Sequence, residues 1–175
     1  MRTVRVLTNE TCNHRCSFCD TRRPHERASV AGAAALTAAL TQARAFAEIV
    51  LTGGEPSLRG DLPAIVTAAG RSGAKVVLET NGVGIDDARA RALADAGLAI
   101  ARLHVPAIQR HAVVTGDAEG LGQLRGAASA LQRAGVVVEA TVPIAAATLA
   151  ELGGLAQAIR TELPAVTRLW ARVVM

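Results

Sequence analysis

Six short runs rich in β-branched and aliphatic residues recur along the chain, at residues 3–7, 48–52, 75–79, 100–105, 136–142 and 168–174. Each has the length of a strand. Helix-period stretches lie between them, with Leu36, Leu40, Ala43 and Phe46 on one face of the first and Leu121, Leu124, Ala128 and Leu131 on one face of another. Strands separated by single helices run parallel through right-handed crossovers, which limits the fold to an open doubly wound sheet or a barrel-like one. The punctuation agrees: Gly73, Gly97 and Gly135 close helical runs just before a strand begins. Thr148 with Glu151 forms a capping-box pattern opening the last helix, and Asp61 is a candidate N-cap ahead of Pro63. The Gly153 and Gly154 pair sits poorly inside that last helix unless close packing demands it.

Six βα steps in 175 residues leave about 29 residues per step, close to the ~30 of a βαβ unit. Residues 1–175 therefore read as one domain, with no room for a separate substrate domain. Half the residues are hydrophobic and 2% aromatic, so the core is built from Ala, Val, Leu and Ile, which suits helix-on-sheet packing and argues against disorder. There is no run of ~18 apolar residues to cross a membrane, and polar Asn9 and Glu10 interrupt any signal peptide. A soluble, cytoplasmic chain is expected. The formal charge of +4 is spread over the chain as arginines with no Tyr to stack bases, which disfavours nucleic acid as a partner. One basic cluster, Arg15, Arg22, Arg23, His25 and Arg27, is either a solvated loop or a hold on an acidic or phosphorylated substrate.

A glycine-rich phosphate loop is missing after the first strand, where Thr8, Asn9, Glu10, Thr11 and Cys12 stand instead, so a dinucleotide-binding sheet loses ground. In a barrel-like sheet chemistry sits at the C-terminal strand ends. Those ends carry Cys12, Cys16 and Cys19 after strand one, Gly53, Gly54, Glu55 and Pro56 after strand two, Glu79, Thr80, Asn81 and Gly82 at strand three, and His104 at strand four. Three cysteines within eight positions are no disulfide framework. They suit either three corners of a [4Fe–4S] cubane, leaving one iron open, or a zinc ion completed by His14 or His25. The Gly53, Gly54, Glu55, Pro56 turn frees backbone groups for close approach and adds an acceptor, which suits an α-ammonium group, though an ordinary βα turn has the same composition.

Taken together, these motifs resemble those of radical S-adenosylmethionine (SAM) enzymes. Cys12, Cys16, Phe18 and Cys19 match the family's C-x3-C-x2-C loop with an aromatic residue before the third cysteine; Gly53 to Pro56 match its glycine-rich SAM motif, and Thr80, Asn81 and Gly82 the segment after its third strand. The resemblance implies an α/β fold, a partial TIM-like (βα)6 barrel with parallel strands. It also implies a [4Fe–4S] cluster on Cys12, Cys16 and Cys19, reductive cleavage of SAM, and hydrogen abstraction from a substrate. Phe18 would lie along the adenine, Gly53, Gly54 and Glu55 would hold the methionyl ammonium, and Thr80, Asn81 and His104 would contact SAM.

Glu139 and Thr141 share a strand face under the i, i+2 rule and are further candidate cofactor contacts. Arg102 is a candidate partner for Glu139, and Trp170 and Arg172 are candidate lumen residues. The second half of the chain is similar to peptide maturases of His-Xaa-Ser systems, which makes a peptide the first substrate expectation. The alternatives are activation of a glycyl-radical partner protein, small-molecule radical chemistry, and a non-catalytic Fe–S or zinc module. A flavodoxin or ferredoxin would supply electrons. A bare final strand points to a missing C-terminal extension, a homodimer or a peptide partner.

Overall fold

A computed structural model describes residues 2–19, 32–41 and 46–174. Arg22, Arg23, His25 and Arg27 of the basic cluster, and Ala43, lie outside the described residues. The element order is β1 (Thr3–Leu7), α1 (Ala33–Thr41), β2 (Glu48–Thr52), α2 (Leu62–Gly70), β3 (Lys75–Thr80), α3 (Asp87–Asp95), β4 (Ile100–His104), α4 (His111–Thr115), α5 (Gly120–Arg133), β5 (Val137–Ile144), α6 (Leu149–Glu162) and β6 (Val166–Val173). Among the described residues the six strands form one sheet in chain order, every neighbouring pair parallel. This is the partial (βα)6 barrel, with β1 and β6 as its edges.

Alternation along each strand sends one set of side chains under the helices and the other into the lumen. Ile49, Leu51, Val76, Leu78, Leu103 and Ala140 belong to the main core, where they meet Leu62, Ile65, Leu93, Leu124, Leu131, Leu155 and Ile159. On the lumen face Val50, Val77 and Ile100 form a small apolar floor. One step nearer the C-terminal ends, charges replace hydrocarbon: Glu79, Arg102, Glu139 and Arg168 are Cα partners on successive strands β3 to β6. A rung of alternating sign is therefore stacked above the floor. Glu139 is buried and accepts from Arg102 at 3.1 Å, Arg168 at 3.0 Å and the Trp170 indole at 2.7 Å, which satisfies a carboxylate that would otherwise be costly to bury.

Gly73, Gly97 and Gly135 have φ of 82°, 97° and 81°, the left-handed turn that ends each helix before its strand. Two cap expectations fail. Asp61 makes no cap bond because its carboxylate accepts from Arg59 Nε at 2.8 Å and from a terminal Arg59 nitrogen at 2.7 Å. Thr148 does not cap α6 either; its hydroxyl donates to Pro143 O at 2.7 Å. Glu151 is turned away from Thr148 and accepts from three successive amides, Ile108, Gln109 and Arg110, at 2.9, 3.1 and 2.7 Å. Close packing does not explain Gly153 and Gly154, because a Cβ on either would meet nothing within 4 Å. The first helix is described only to Thr41, and Phe46 sits in the connection just before β2, packed against the core.

Candidate active site

The C-terminal strand ends and their loops enclose a cavity of about 380 Å³, within the range that holds a drug-sized ligand. Cys12, Cys16, Cys19, Phe18, Gly53, Gly54, Glu55, Thr80, Asn81, His104 and Thr141 all line it. Of the sequence candidates, Pro56 and Glu139 do not: Pro56 opens a 3₁₀ turn, Pro56–Leu58, behind the wall, and Glu139 lies in the charged rung beneath. The wall also includes Arg5, Glu79, Arg102 and Arg172. Arg5 reaches over β2 to grip the Glu79 carboxylate with two guanidinium nitrogens. Burial acts to raise the Glu79 pKa, but Arg5, Arg102 and Arg172 overcome it and hold the group below the usual carboxylate range.

Glu55 is the hub of the polar wall. Its carboxylate accepts from Ser57 N at 2.9 Å, Thr80 Oγ1 at 2.5 Å and Asn81 N at 2.6 Å. Burial pushes its pKa up against these donors. Asn81 then extends the chain of contacts, its side-chain amide donating to Asn13 Oδ1 at 2.9 Å beside Cys12. The two motifs read separately in sequence are thus one network.

Gly53 and Gly54 serve a different purpose from ligand access alone. A Cβ on Gly53 would lie 2.4 Å from Asn9 O, and one on Gly54 2.2 Å from Thr11 O, so only glycine lets the β2 loop pass against the β1 loop that leads to the cysteines. Gly54 N and Glu55 N donate to Asn9 O and Thr11 O at 2.8 and 2.7 Å. Asn9, which the sequence reading passed over, is 3% exposed and its amide donates to Thr11 O and Glu55 O, both at 3.0 Å. A polar residue just after a strand and three positions before a cysteine was its only signal.

None of the three cysteines is joined in a disulfide, and each is partly exposed and lines the cavity. Burial pushes the Cys12 thiol up to about 11, against backbone N–H donation from His14 and Asn13. In a cubane each thiolate takes a different iron, and three thiols in an irregular loop facing a cavity form a donor set that fits three corners of such a cluster.

Phe18 and His104 meet edge to face with ring centroids 5.5 Å apart. Burial lowers the His104 pKa to about 4, so its ring is neutral at pH 7. Among the described residues Thr141 Oγ1 is buried without a hydrogen-bond partner, an orphan on a cavity wall that a ligand would satisfy.

The Radical SAM superfamily model matches residues 6–138, and the chain belongs to that superfamily. GTP 3′,8-cyclase of Tolumonas auensis is 36% identical over 143 residues, covering 75% of this chain and 41% of that protein. The probable GTP 3′,8-cyclase of Pyrobaculum aerophilum is 34% identical over 85 residues, covering 47% and 27%. Among solved structures, anSMEcpe with bound AdoMet and Kp18Cys peptide superimposes with a TM-score of 0.80 at 15% identity, covering 99% of this chain and 51% of that one. Streptococcus suis SuiB bound to precursor peptide SuiA gives 0.77 at 14%, covering 99% and 39%. These likenesses confirm the fold. The chain spans about two fifths of the Tolumonas auensis protein.

Proposed function

We propose that this chain is the core of a radical SAM enzyme, with a [4Fe–4S] cluster held by Cys12, Cys16 and Cys19 and SAM bound in the adjoining cavity. The observation that carries this reading is the convergence of the three thiols, the Glu55 and Thr80 network and the Phe18 and His104 pair on one cavity. Together the cluster and SAM would supply a 5′-deoxyadenosyl radical that takes hydrogen from the substrate.

The chain's own residues place and enclose these groups. Glu55 offers an anchored carboxylate with acceptor capacity left over, and an arriving ammonium would offset the burial that raises its pKa. Phe18 offers a flat apolar wall for a purine, braced by His104. The neutral His104 ring and the Thr141 hydroxyl would bind the polar groups of the ribose or the methionyl carboxylate. Arg102, held by Glu139, is a fixed cation in the cavity wall.

A peptide is the favoured substrate, supported by the peptide-bound structures the fold matches. GTP is the second reading, favoured by the names of the relatives in sequence. A one-electron donor such as flavodoxin or ferredoxin would reduce the cluster. Anaerobic reconstitution, reduction and assay for 5′-deoxyadenosine test the core reading, and turnover with GTP set against turnover with candidate peptides tests the substrate. Consumption of GTP with no peptide modified would reject the peptide reading.

A further inference from the structure

The cysteine loop is fastened by the corner between α4 and α5. Arg15 N donates to Thr115 O at 2.7 Å and Ser17 N to Val114 O at 3.0 Å, so the last turn of α4 lends two carbonyls to the backbone on either side of Cys16. The side chain of His14, between Cys12 and Cys16, is 4% exposed, and its Nε2 faces Asp117 Oδ2 at 3.3 Å, an electrostatic contact outside hydrogen-bond geometry; among the described residues that nitrogen has no hydrogen-bond partner. Asp117 is itself fixed, its other carboxylate oxygen accepting from Glu119 N at 2.9 Å. The buried His111 ring stands edge to face with His14, centroids 6.0 Å apart. Gly120 slips between the two rings, where a Cβ would lie 2.8 Å from His111 and 3.2 Å from His14.

The corner is also held from behind. Glu151 on α6 ties down the Ile108, Gln109 and Arg110 amides that lead into α4. Gly116 has φ of 72° and ends α4 against Arg15, leaving room for the loop to pass. An irregular loop carrying ligands for a cluster gains from such prior ordering, because its entropy is then lost on folding and not on loading.

We infer that Asp117 and His14 are positioning residues that hold the cysteine loop in its ligand-bearing conformation before any cluster is present. Although the purpose assigned to the loop rests on the radical SAM reading, the test does not require turnover. It follows alkylation of Cys12 and Cys16 by N-ethylmaleimide, resolved by mass spectrometry, in the iron-stripped 175-residue chain, with the melting temperature recorded in parallel. Asp117→Ala and His14→Phe, which keeps a ring's volume but removes the polar atom, are each expected to speed alkylation about fivefold through more frequent local opening. The double variant should add little to either single one. Asp117→Asn, which retains a polar partner for the ring, should restore rates to within about twofold. Asp87→Ala, at a surface ion pair with Arg133, should change nothing. Unchanged alkylation in both folded single variants, or acceleration only in step with a fall in melting temperature, would overturn the assignment. A preformed loop in a chain that never cleaves SAM would refute the functional reading and leave this one standing.

Discussion

Thr80 Oγ1 donates to Glu55 Oε1 at 2.5 Å, joining the end of β3 to the loop after β2 inside the wall of the cavity. Both side chains are buried, so the contact is shielded from water. Thr80→Val keeps the shape and removes the donor, and leaves Gly82 N without the hydroxyl it donates to at 3.0 Å. It should cost about 1–3 kcal/mol of stability, read as a lower urea midpoint with an unchanged slope.

Gly54→Val tests the close approach of the two loops. From sequence alone, a bulky residue at 54 is expected to block SAM and spare the cluster. The structure reverses half of that expectation, because the new Cβ would strike Thr11 O and Glu10 O in the backbone that leads into Cys12. The variant should lose iron and sulfide after reconstitution as well as SAM binding. Full iron loading in Gly54→Val would show that the loop tolerates the displacement.

Acid should weaken the fold through two rings. Burial lowers His104 and His111 to about 4 from 6.5, so each is neutral in the native chain and takes up a proton on unfolding anywhere between those values. Stability is then fully present above pH 6.5 and falls as pH drops toward 4, by up to about 3 kcal/mol for each ring. Denaturation midpoints measured from pH 7 to 4.5 check this, and the His111→Gln variant should show a shallower fall than the parent.

In the core, Leu124 on α5 is fully buried. Leu124→Ala should cost about 2–5 kcal/mol through lost burial and a cavity that close-packed neighbours cannot fill. Calorimetry of the variant gives the figure directly.

Strand positions were legible because parallel strands in such a sheet are short apolar runs, and the predicted 75–79 and 136–142 differ from Lys75–Thr80 and Val137–Ile144 by one or two residues. Which face each side chain takes was less legible: Val76 enters the helix-side core and Val77 the lumen floor, and two adjacent valines carry no sign of the difference. The loops at the strand ends were found because cysteine, glycine and carboxylate stand out there. Of the partnerships across the chain, Arg102 with Glu139 was legible because both lie on strands whose period sets their face; those made by loops and helix ends were not. His14 meets Asp117 and Glu151 meets Arg110 over long separations, and the second pairing defeated a local capping pattern because three amides offer Glu151 more than one does. Gly53 and Gly54 were located correctly, but the backbone that crowds them belongs to a distant loop.

The most direct test is 5′-deoxyadenosine formation by the anaerobically reconstituted, reduced chain with SAM, measured beside Cys16→Ala. The parent should carry close to four irons and release 5′-deoxyadenosine and methionine in equal amounts, while Cys16→Ala should carry little iron and release neither. A fully loaded parent chain that binds SAM yet yields no 5′-deoxyadenosine would contradict the account at its centre.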